Sequence, residues 1–280
     1  MSDEQQLQWE ADNGPRFAAA AFVSALFSLA AFLVQVLAIG GGGGNEREAL
    51  IRIDEHRSEF FVSLGIQVVA YFALAAALYY LARATMARRP EGLKFLWPII
   101  ALAPVLLTVG GVLTQIDLGQ VVDDFLTAGA RTNARAEDLL DDRSVVGSAI
   151  ASGGTLCMAL AYVLVSINAM RAGLLSRFMG ILGVIVGALL VLPLIPAPVV
   201  QLFWIVALGV LFLGRWPGGR GPAWSVVEAI PWPTAADAQA ARQAAADVPQ
   251  EHVDVPEPEP EAGEPRQRPA SRKKKRRRGH

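Results

Sequence analysis

Chemistry inside a bilayer needs a nucleophile with its base, a buried carboxylate or a cluster of metal-ligating side chains. The apolar runs of this 280-residue chain offer none of these. Ser152, in the stretch ASGG, has no histidine or other base at membrane depth to take its proton. HExxH, a phosphate-cradling Walker loop and the GxS motif with a membrane histidine are all missing from these runs. No Asp, Glu, Lys, Arg or His stands in the middle of an apolar run, where proton-coupled carriers place such groups, and Asp117 lies only at a border. Cys157 is the single cysteine, so the chain forms no intramolecular disulfide, and in its apolar setting the thiol serves as a small hydrophobe. These residue types argue against an enzyme. They point to no catalytic residue, no cofactor and no metal.

Titratable residues collect instead in the polar connections. Residues 117–143 carry Asp117, Asp123, Asp124, Glu137, Asp138, Asp141 and Asp142 against three arginines. Such oxygens suit calcium or magnesium, but the glycine and ligand spacing of an EF-hand is absent, so the stretch reads as a solvated acidic loop. His56, between Glu55 and Arg57, has the chemistry of a proton-responsive group, although a solvated loop histidine is the simpler reading. The largest charge concentration is Arg272, Lys273, Lys274, Lys275, Arg276, Arg277 and Arg278. A basic run of this kind binds anionic headgroups at about 1 kcal/mol per base near the surface. It can also neutralise nucleic-acid phosphates without reading bases, or stay solvated as a topology signal. Membrane lipids and a protein partner meeting the tail are expected ahead of nucleic acid.

Gln67, Gln115 and Asn168, with Gln35 and Gln201, are the strongest polar groups left in the apolar runs. Each suits a hydrogen bond between helices. A small-solute permease or channel, the alternative function, would use the first three to line an aqueous path.

Elements long enough to cross a bilayer must position these groups. The chain is 53% hydrophobic and 18% charged, with a mean hydropathy of +0.37, which is more apolar surface than a soluble core of this length needs. From Arg177 to Arg215 there is no other charge, and Pro193, Pro196 and Pro198 divide two apolar runs into a membrane hairpin. The same design repeats upstream, predicting an all-α polytopic bundle of about six spans near 17–39, 60–82, 95–116, 145–170, 178–195 and 198–214. Residues 1–15 are acidic, the wrong charge for a secretory leader, and glycines 40–44 end the first span. Gly180, Gly183 and Gly187 share a face suited to close packing of the fourth and fifth spans. Residues 217–233, with Trp224 and Trp232, read as an interfacial segment. Residues 234–280, containing PEPEPE, read as a disordered tail.

Loop charge sets the expected orientation. Arg16 precedes the first span, Arg83, Arg88, Arg89 and Lys94 crowd the short loop after the second, and Arg171 and Arg177 follow the fourth. The opposite loops carry three bases each in longer, acid-rich stretches, which places both termini in the cytoplasm. The run AMRAGLLSRFMGILGVIVGALLVLPLIPAPVVQLFWIVALGVLFLGRWPGGRGPAW resembles the C-terminal half of uncharacterised multi-pass membrane proteins of high-GC Gram-positive bacteria, a family of unknown function. The likeness covers residues 145–225 and, loosely, the first three spans. It implies a bacterial plasma-membrane location and carries no catalytic residue across. The expected function is that of a non-enzymatic membrane protein whose basic tail meets lipids or a partner.

Overall fold

The structure, a computed structural model, describes residues 1–39, 44–90, 95–192, 199–217, 219–232, 239–240 and 243. The Pro corner at 193–198, the interior of the glycine run and the tail with its basic terminus lie outside the described residues. The described residues form eight α-helices and one 3₁₀ turn, with no strand among them. They are α1 (Asp3–Ile39), α2 (Glu46–Glu55), α3 (Arg57–Arg88), α4 (Leu96–Thr127), α5 (Asn133–Asp141), α6 (Val146–Ala172), α7 (Arg177–Val191), α8 (Val199–Phe212) and the 3₁₀ turn Pro222–Ser225.

Four of these, α1, α3, α4 and α6, have the length and apolar composition to cross a bilayer. The other two apolar helices, α7 and α8, are shorter, at 15 and 14 residues. The outer surface explains where the bundle lives. Leu26, Phe72, Leu102, Leu156, Phe178 and Phe203 are all exposed, a coat of large apolar side chains that water would not tolerate and lipid would. The core holds Tyr80, Tyr162, Trp204 and Phe212, each fully buried. This is the membrane helical bundle expected from composition.

Glycine and other small residues set how closely the helices approach. On the α4–α6 contact a Cβ added at Gly110 would lie 2.3 Å from Ala151 N, one at Gly147 2.6 Å from Thr114 N, and one at Gly154 2.7 Å from Leu107 N. The partners move in opposite directions along the two helices in steps of three or four, so α4 and α6 run antiparallel, backbone against backbone. On α7 the glycines face α6 in the same manner. A Cβ at Gly180 would meet Met170, one at Gly183 would meet Ser166 Oγ, and one at Gly187 would meet Val163 and Ala159 O. Side chains at these six positions would wedge the helices apart.

Several elements run past the bounds that hydropathy suggests. α1 begins at Asp3, so residues 3–16 continue the membrane helix as an extension through Pro15. α4 continues to Thr127, well beyond Asp117, because Leu118, Val121, Val122 and Phe125 keep an apolar stripe at helical spacing. That stripe is covered by Leu50 of α2 and Ala136 of α5, each fully buried. The stretch 117–143 is therefore largely helical rather than a loop. Asn45 caps α2 and Thr132 caps α5, each side-chain oxygen accepting a backbone N–H. Arg57 ties the cap to α4 through Asp123, at 2.7 Å, and to Asp54, at 2.9 Å.

Candidate functional site

The densest polar cluster lies at the other end, where α1 starts, α3 and α6 finish, α7 starts and the chain after α8 folds back. Arg88, in the last turn of α3, is its centre. Its Nη1 and Nη2 donate to the two carboxylate oxygens of Glu10 at 2.7 and 2.9 Å, its Nε donates to Ala223 O at 2.8 Å, and Nη1 also donates to Ala84 O at 2.8 Å. Four of the five guanidinium N–H groups are thereby used. The Arg88 side chain is 0% exposed and that of Glu10 4%. Gln6, one turn earlier on α1, donates to Glu10 Oε1 at 2.8 Å.

The helical extension of α1 exists to reach this partner. Pro15 cannot donate to the carbonyl four residues before it, which weakens the turn below. There the Tyr80 hydroxyl donates to Glu10 O at 2.7 Å and the Asn13 amide to Trp9 O at 2.9 Å. Aromatic rings fill the space around the ion pair. Tyr80 lies 4.9 Å from Phe17, 4.7 Å from Phe212 and 5.6 Å from Trp9, measured between ring centroids. The Arg83 guanidinium sits 3.9 Å above the Trp9 ring, a cation–π contact at the rim of the cluster.

Residues after α8 close the site. Gly214, at φ +72°, and bonds from Gly214 N to Leu211 O and from Arg215 N to Val210 O end α8 in a left-handed cap. Arg220 then donates back to Phe212 O, a carbonyl at the negative end of that helix. Trp224 Nε1 donates to Leu174 O at 2.9 Å and Ile230 N to Ala172 O at 3.3 Å, fixing the segment onto the α6–α7 turn. Gly173 makes that contact possible. Its φ is +84°, and a Cβ there would sit 1.8 Å from Ile230 O. Residues 220–232 are thus hydrogen-bonded onto the end of the bundle.

The cluster is a clasp, not an acid–base pair. Both Glu10 oxygens already accept from the guanidinium, and the residue is buried. A buried pair of this kind gains little net stability from its charge, but losing one partner strands the other.

The residues singled out from the sequence fall in several places. Gly180, Gly183 and Gly187 are buried against α6. Gln67 is half-buried on α3, one turn before Tyr71. Gln115 is half-buried on α4, 19 positions from its start. Asn168 donates to Leu164 O of its own helix at 2.7 Å. Gln67 and Gln115 lie toward the acidic end and Asn168 within about a turn of the basic end, so the three do not converge. Ser152 is exposed on the apolar exterior and Cys157 half-buried. His56 sits between α2 and α3, 3.6 Å from Glu59 on the exposed surface. Groups of three or more His, Cys, Asp or Glu with metal-binding geometry are absent among the described residues. The seven bases at 272–278 lie outside the described residues.

Sequence reading missed Glu10, Arg88, Ala223 and Trp224 as one unit. The available signals were Gln6 and Glu10 at i, i+4 on the acidic leader and two arginines ending the second span. Comparison with protein-family models, with curated proteins and with solved structures finds no match to the chain.

Proposed function

We propose that this is a non-enzymatic scaffold of a bacterial plasma membrane, with both termini cytoplasmic. It anchors its C-terminal tail at the bilayer surface so that the basic run engages anionic lipid and presents the tail to a protein partner. One observation carries the reading. The chain does not simply leave α8; residues 220–232 are tied to the bundle by Arg88–Ala223, Trp224–Leu174 and Ile230–Ala172 hydrogen bonds. A tail that only trailed in solvent would not need a fixed exit. The backbone-close contacts of α4, α6 and α7, and the scatter of Gln67, Gln115 and Asn168 along the axis, also favour a scaffold over a permease.

The test places a donor fluorophore on Ala270→Cys in a Cys157→Ala background and an acceptor on lipid headgroups, in nanodiscs holding the full chain. Energy transfer should be high with phosphatidylglycerol, fall as salt is raised, and drop when Arg272 to Arg278 are all replaced by Gln. Equal transfer in purely zwitterionic discs would rule the lipid contact out.

A further inference from the structure

At the same end, but on the bundle itself, Arg89, Arg171 and Arg177 line a groove of about 510 Å³ with Met170, Ile181, Pro231 and Trp232. The three arginines come from the end of α3, the end of α6 and the start of α7, so the fold rather than a local run brings them together. None forms an ion pair among the described residues, in contrast to Arg88 and Arg57 nearby in sequence to Arg89 and to the acidic cap. The indole Nε1 of Trp232 is shielded from solvent and has no acceptor among the described residues. Three convergent cationic donors without a counterion among the described residues ask for a phosphate or carboxylate.

The walls identify the source of that anion. Ile181 is 55% exposed and continues into Phe178 and Ile185, an apolar strip down the outer face of α7 at helical spacing. A free phosphate has no use for such a strip, whereas an acyl chain lies along it. We propose that this groove is a binding site for an anionic phospholipid, its phosphate held by Arg89, Arg171 and Arg177 and its acyl chains running along α7. The site does not depend on the tail.

Native mass spectrometry of the full-length protein tests it, with phosphatidylglycerol, phosphatidylcholine and excess glycerol 3-phosphate as probes. The triple variant R89Q/R171Q/R177Q should lose phosphatidylglycerol affinity roughly tenfold or more, taking the usual contribution of a base near a headgroup. In a chain with Arg272 to Arg278 replaced by Gln, which removes the tail's own lipid contact, the groove's share of phosphatidylglycerol binding should remain and should fall by the same factor when the glutamine triple is added, whereas the acidic-end control R47Q/R131Q/R143Q should leave it unchanged. The lysine triple R89K/R171K/R177K retains charge and should bind within a few-fold of wild type. The lipid-free melting temperature of the glutamine triple should match wild type, which separates a lost site from a lost fold. Unchanged binding in the glutamine triple, equal binding of phosphatidylcholine, or displacement by glycerol 3-phosphate would each overturn the proposal. So would a lysine triple that fails to bind, or a glutamine triple whose loss merely follows a lowered melt.

Discussion

Glu10 and Arg88 are separated by 78 positions, yet each is the other's main partner. Replacing Glu10 with Gln keeps the shape and removes the charge, leaving the Arg88 guanidinium buried without a counterion. The expected cost is about 3–5 kcal/mol of stability, read as a lowered unfolding midpoint. Glu10→Gln combined with Arg88→Met should cost less than Glu10→Gln alone, because no unpaired charge remains. If the double variant were the less stable of the two, the ion pair would not be the element holding α1 in place. The pair was not legible in the sequence for a physical reason. Hydropathy reports where a residue partitions and periodicity reports which way it faces, and neither says which distant residue it meets. Glu10 sits among acids at a terminus and Arg88 among bases in a loop, and each reads as solvated when taken by itself. The glycines of α7 were different, since a face defined by spacing of three and four residues is a local property.

At the scale of the helix, neighbouring glycines on α6 have opposite roles. A Cβ at Gly154 would press on the α4 backbone at 2.7 Å from Leu107 N, whereas one at Gly153 meets nothing within 4 Å. Gly153→Ala should stabilise the protein by about 0.5–1 kcal/mol through helix propensity. Gly154→Ala should destabilise it by about 1–3 kcal/mol through overpacking, and thermal unfolding of the two variants in the same detergent decides the signs. Matching shifts would mean that α4 and α6 are not in backbone contact. The small residues of this helix were visible in sequence, but which of two adjacent glycines touches α4 depends on helix rotation, and composition does not encode it. The far end of α4 was hidden similarly. Its acids lower the mean hydropathy, while Val121, Val122 and Phe125 preserve an apolar stripe that α2 and α5 cover. α7 and α8, at roughly 22 Å each by helical rise, are shorter than the roughly 30 Å hydrocarbon core that the longer helices match.

For the molecule as a whole, one end is acidic and helix-capped and the other is basic and aromatic. The loop arginines predict the basic end inside the cell. With Cys157→Ala as background, a membrane-impermeant thiol reagent on intact cells should label Ala130→Cys and leave Ser225→Cys unlabelled until the cells are opened. Both positions are exposed in the fold, so accessibility reports sidedness. Labelling in the reverse order would invert the orientation and move the tail outside. The helical membrane-bundle class was plain from composition, because a surplus of apolar residues has nowhere else to go. The closed basic end was not, because its parts come from the two ends and the middle of the described bundle. That arrangement also orders events in time. A ribosome delivers Glu10 first, Arg88 next and Ala223 only after the sixth apolar helix, so the ion pair between α1 and α3 can form early and the Arg88 Nε bond to Ala223 comes last. The segment after α8 thus closes over a pair already made.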